Sequence, residues 1–153
     1  MRKVLDKINR SLLIVLSILM VLSALLQVFA RTIDLNAQFT EELTIFSIIL
    51  FTLIWSDYAF GIKKHIAIDI LSSSLGAENQ KRLAVFIEVV IILFTVLILL
   101  IGGGRFVWIT FKLGQVSAVM HIPKGWIYLA LPVSGLIILF YSILNIIDEV
   151  KKA

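Results

Sequence analysis

Charged residues cut this chain into four long apolar blocks. Residues 11–30 are 20 positions without a charge, closed by Arg10 and Arg31. Residues 43–62 are 20 more, interrupted only by Asp57; residues 83–104 are 22, interrupted only by Glu88; residues 125–147 are 23 with none. A helix rises about 1.5 Å per residue, so about 20 apolar residues cross the roughly 30 Å of hydrocarbon in a bilayer. The blocks lack the short alternating pattern of a membrane barrel, which leaves helices as the spanning structure. The pattern predicts an all-α integral membrane protein with one membrane domain and four transmembrane helices, at about 11–30, 43–62, 83–104 and 125–147.

Composition agrees. The hydrophobic share is 60% and the charged share 16%, against about half and about a quarter in soluble domains. This argues against a water-soluble enzyme and against a disordered tail. The absence of cysteine excludes a disulfide framework, a thiol nucleophile and a cysteine-ligated metal centre. The net charge of +4 reads as membrane topology before nucleic acid, because the basic residues are unevenly placed. Arg2, Lys3, Lys7, Arg10, Lys63, Lys64, Lys81, Arg82, Lys151 and Lys152 fall on one side of the four spans. Only Arg31, Arg105, Lys112 and Lys124 fall on the other. By the positive-inside rule both termini are cytoplasmic, an N-in/C-in arrangement. Trp108, Trp126 and Tyr128 then sit near the outer boundary, where aromatic belts form. Val28-Phe29-Ala30 looks like a cleavage site after a signal peptide, but the apolar block before it exceeds the 7–15 residues of such a signal. The first span is expected to be retained.

The connections carry their own patterns. Between the second and third spans, Ile68, Leu71 and Leu75 recur at helical spacing before Gly76, predicting a short interfacial amphipathic helix over 65–76 on the inner surface. The run 106–120 is too apolar for a solvated loop and is expected to hug the outer surface or a partner. Gly102, Gly103 and Gly104 should loosen the third helix. Pro132 should free the carbonyl of Tyr128 and bend the fourth. The two halves share neither charge nor glycine placement, so an inverted-repeat transporter is not supported.

Candidate chemistry is sparse. His65 and His121 fall a span apart in this topology, which disfavours a shared haem. No cofactor, metal, catalytic or substrate-binding residue is expected. The informative residues are Asp57 and Glu88, each six positions from a basic residue of the inner connection and so, counted this way, about 9 Å inside the same boundary. An acid in hydrocarbon costs on the order of 2.5–3.5 kcal/mol and faces a bundle interior, a partner or a water path. No lysine or arginine lies within the four blocks. Protonation, a snorkelling Lys64 or another chain are the compensations open to them, and three roles follow: acids held by helix neighbours, acids facing a partner, or a proton or ion relay. Gln27, Ser56, Ser134, Gly135 and Asn145 offer small and polar surfaces for helix association. Arg31 and the Glu41-Glu42 pair lie at one edge, where an ion pair is expected.

The stretch Gln27-Val28-Phe29-Ala30-Arg31, then Glu41-Glu42-Leu43, Trp55, Gly61, His65-Ile66 and Asp69, resembles the small, Q-type four-helix membrane subunit of tripartite ATP-independent periplasmic (TRAP) transporters. Gly114-Gln115-Val116-Ser117, Ile122-Pro123, Trp126, Tyr128, Pro132 and Gly135 look like the second half of that pattern. Thr32 and Phe39 depart from it: Thr32 stands where an aromatic commonly follows the arginine, and Phe39 near where a tryptophan often precedes the acidic pair. The resemblance implies a scaffold subunit in a bacterial inner membrane, surrounded by lipid and paired with a large permease subunit. A periplasmic binding protein would dock on the outer face, for sodium-coupled uptake of an organic acid such as a C4-dicarboxylate or sialic acid. Interface or structural polar roles would then fall to Asp57, Glu88, Gln27, Arg31, Glu41, Glu42, Trp55, His65, Trp126 and Pro132. The alternative is a small proton-coupled antiporter working as a homo-oligomer, although those rely on an acid in the first span and this first span has none.

Overall fold

The computed structural model describes residues 2–34, 38–61 and 77–151; the expected interfacial segment 65–76 and His65 lie outside them. Helix α1 runs Arg2–Thr32 and α2 Gln38–Gly61. A third span is continuous from α3 (Ala77–Phe94) through a π-helical stretch, Thr95–Gly102, into α4 (Gly103–Lys112). A fourth consists of α5 (Lys124–Tyr128) and α6 (Ala130–Lys151). All four spans are long and apolar enough to cross a membrane.

The helices outrun the apolar blocks. Helix α1 has 31 residues, about 46 Å, so its basic first turns project beyond a 30 Å hydrocarbon layer. The third span also outruns its block. Instead of loosening at the three glycines, the helix passes through them to Lys112, and 106–112 is its last turns rather than a surface-hugging strip. Backbone N–H and C=O groups find no water in hydrocarbon, so continuing the helix costs less than breaking it. The glycines serve packing: a Cβ on Gly103 would lie 3.1 Å from the Leu131 Cβ. The π-helical stretch, a widened turn, presses Leu99 and Leu100 toward the fourth span, and Gly135 receives them, since a Cβ there would meet both at 3.0 Å. The fourth span is interrupted at Leu129, beside the Tyr128 carbonyl that the Pro132 ring cannot serve and would crowd.

Helix α1 packs on α2, α2 on α6, and α6 on the third span. The row is therefore 1–2–4–3, with the last span in its interior. Its most apolar window is 28% buried, against 11% for each of the others. The interior is polar and the outside apolar. Buried hydrophobics among the described residues are Leu13, Val107, Ile138 and Tyr141, whereas Asn9, Ser23, Thr40, Ser47, Asp57, Glu88, Thr95, Thr110, Ser117, Ser134, Ser142 and Asn145 are all buried. Lipid tails are as apolar as leucine, so burying apolar side chains gains little there. Small and polar residues let helices approach and bond instead.

Candidate functional site: a polar seam along the fourth span

Three acids from three other elements converge on the interior helix. Asp57 of α2 is 2% exposed, and its Oδ1 accepts the Ser134 hydroxyl at 2.6 Å. Glu88 of α3, also buried, accepts the Asn145 amide on Oε1 at 2.9 Å. Near the chain termini, Asp6 of α1 accepts the Tyr141 hydroxyl at 2.6 Å. Gly61 makes that last meeting possible, because a Cβ on it would stand 3.0 Å from both the Asp6 Oδ1 and the Tyr141 Cζ. A fourth polar bridge joins α1 and α2 directly, the Ser23 and Thr44 hydroxyls meeting at 2.7 Å; one donates to the other, and the accepting hydroxyl gives its own proton back to a carbonyl of its helix.

These partners bear on two expectations. Among the described residues the donors that reach Asp57 and Glu88 are neutral side chains of the same chain, and Lys64 lies outside those residues. The acids also do not share a depth. Their partners Ser134 and Asn145 are 11 positions apart on one helix, about 16 Å along its axis. Counting from the nearest basic residue assumed that Lys63 and Arg82 lie at one height, whereas α3 begins at Ala77 and already contains Arg82. Glu88 keeps one oxygen, Oε2, buried without a donor among the described residues.

At the opposite end, Glu42 is a clamp. Its carboxylate accepts the Ser117 hydroxyl and the backbone N–H groups of Ala118 at 2.9 Å, Val119 at 3.2 Å and Met120 at 3.0 Å. Successive N–H groups of a tight turn form a concavity that suits an anion. The turn is closed by Ser117 N–H to the Ile122 carbonyl at 2.9 Å and Lys124 N–H to the Gln115 carbonyl at 3.0 Å. Left-handed backbone at Gly114 (φ 59°) and His121 (φ 57°) lets it reverse so sharply. The expected ion pair of Arg31 with Glu41 or Glu42 is therefore not formed. Arg31 and Glu41 are exposed, and the fixed donors of the turn satisfy Glu42 at less entropic cost than a long mobile guanidinium would.

The other singled-out residues scatter. Gln27 is half-buried on α1. Trp55 is exposed on α2, with Phe51 stacked at 6.3 Å and Tyr58 at 6.1 Å between ring centroids. Trp126 is exposed at the turn end, edge-on to Phe111 at 5.8 Å. There Lys112 lies 4.8 Å over the Trp108 ring and Phe106 packs on Tyr128 at 4.7 Å, a cluster of the kind found at membrane–water interfaces. Sequence reasoning missed Asp6, Tyr141 and Ser23. The signals were weak ones: an acid inside a basic flank, and hydroxyls inside apolar runs.

Comparison with curated proteins finds no significant match. The family model of the tripartite ATP-independent periplasmic transporters, DctQ component, matches residues 1–152. With that match across nearly its full length, the chain belongs to the DctQ family, the small component of these transporters.

Proposed function

We propose that this subunit is a static scaffold for a large permease subunit, taking part in sodium-coupled uptake of an organic acid of the C4-dicarboxylate or sialic acid type. In this reading it lies in a bacterial inner membrane with both termini cytoplasmic. A periplasmic binding protein docks on the outer face, near the Glu42-clamped turn, and lipid covers the apolar surface that remains. One observation carries the reading. The membrane acids are each tied to a neutral donor on one central helix, about 16 Å apart, as cross-braces of an open row rather than stations of one relay. An open row also leaves wide apolar faces on which a larger subunit can be seated.

The alternative, a homo-oligomeric proton-coupled antiporter, draws on Glu88, whose second oxygen has no donor among the described residues. Affinity purification of the tagged chain in mild detergent separates the two. Co-purification of a large membrane subunit, with no substrate-dependent thermal shift in the isolated small one, supports the scaffold. A lone homo-oligomer that binds cationic drugs overturns it.

A further inference from the structure

The three tryptophans report where the protein meets its surroundings. Trp108 and Trp126 are exposed at the turn end, where an indole N–H reaches water or headgroups. Trp55 is equally exposed, at 53%, but stands farther from the end of its helix than Trp108 does from its own. It lies six residues before Gly61, the end of α2, about 9 Å up the helix. Helical side chains lean toward the N-terminus, which carries the indole farther from that end and deeper into hydrocarbon. None of the described residues accepts its N–H; its contacts are the two ring packings with Phe51 and Tyr58. Lipid tails offer no acceptor.

Trp55 also ends a stripe. Glu41, Ile45, Ile48, Thr52 and Trp55 are all exposed, spaced by four, three, four and three positions. This is the seam geometry of helices crossing at about 20°. Within it the Thr52 hydroxyl is bonded back to the Ile48 carbonyl at 2.8 Å, leaving a small flank for close approach. The Phe51 and Tyr58 rings hold the indole in place, so little freedom remains to be lost on docking.

We propose that Ile45, Ile48, Thr52 and Trp55 form the docking surface for one transmembrane helix of the transporter's large membrane component, with the Trp55 N–H donating to an oxygen on that helix. This rests on the scaffold reading above. A second copy of the chain fits poorly. Two copies with the same topology in one membrane meet about a twofold axis along the bilayer normal, so each stripe residue faces itself. That sets Glu41 against Glu41 and one indole donor against another, with no acceptor between them.

The test uses the complete three-component transporter in membranes, with p-benzoyl-phenylalanine in place of Ile48 or Thr52, and in place of Leu136 as another exposed face. Irradiation is expected to join the chain to the large component from positions 48 and 52. Trp55→Phe keeps a ring but loses the N–H, and is expected to lower the large component retained on the tagged chain roughly threefold, the scale of an interhelical hydrogen bond. Adducts between two copies of this chain, protein adducts from Leu136 alone, or full retention by Trp55→Phe would each overturn the proposal. If the unaltered chain retains no large component, the scaffold reading itself fails; if it retains one but cross-links only elsewhere, this docking surface alone fails.

Discussion

Ser134→Ala probes the seam most directly. Asp57 is 2% exposed, takes the Ser134 hydroxyl at 2.6 Å, and has no other donor among the described residues. Removing that hydroxyl strands a buried acceptor, which costs about 1–3 kcal/mol. Asp57→Asn should cost less than about 1 kcal/mol, because the amide oxygen accepts the same hydrogen. Asp57→Leu loses the bond from the other side. Combined with Ser134→Ala it should recover part of the loss, since neither half is then left waiting. The coupling from the four-protein cycle should be about 0.6 kcal/mol and no more than about 1.7, the mean and the maximum for hydrogen bonds between membrane helices. The assay is reversible unfolding of the purified subunit in mixed micelles, followed by tryptophan fluorescence, beside uptake by the reconstituted transporter normalised to the large subunit co-purified. If Asp57→Asn destabilises as much as Asp57→Leu, the bond is not what holds the seam. If Asp57→Asn assembles fully but abolishes uptake, Asp57 belongs to an ion path and the scaffold reading falls.

Three further outcomes are expected. Gly61→Ala should destabilise by about 1–3 kcal/mol through overpacking, because the new methyl meets Asp6 and the fully buried Tyr141 at 3.0 Å. Tyr141→Phe should cost less, about 0.5–1.5 kcal/mol, because the part-buried Asp6 can take water in place of the hydroxyl, and thermal unfolding of the two variants reads both. Glu42→Ala should abolish hydrogen-exchange protection of the Ala118, Val119 and Met120 amides while leaving α6 protected; unchanged exchange would mean the turn holds without its anion. In this cysteine-free chain, Gln115→Cys and Asn79→Cys should label from opposite sides of the membrane, Gln115 from outside, and labelling of both from one side would refute the N-in/C-in assignment.

The spans were legible because hydrophobicity is a one-dimensional signal and the charges punctuate it cleanly. Their ends were not, since helical hydrogen bonding does not stop where apolar character does: Phe106–Lys112 reads as an apolar strip and is helix. Asp57 and Glu88 stood out through residue type alone. Their partners lie 77 and 57 positions away, and nothing local says which of several serines or asparagines will face them. The same distance hid the Glu42 clamp, whose partner at Ser117 is 75 positions on. Glu42 beside Arg31 suggested the nearer charge, while the turn's N–H groups, invisible as a pattern of side chains, were the better partner.

The 1–2–4–3 row has a consequence for biosynthesis. Ribosomes deliver spans to the membrane in chain order, but the span delivered last must slot between the second and the third. Until Ser134 and Asn145 are made, Asp57 and Glu88 lack the donors that later hold them. The second and third spans therefore gain nothing by closing on each other early, and the gap the fourth needs stays open. A chain truncated after its third span keeps both acids but lacks the two donors, Ser134 and Asn145, that the fourth span brings.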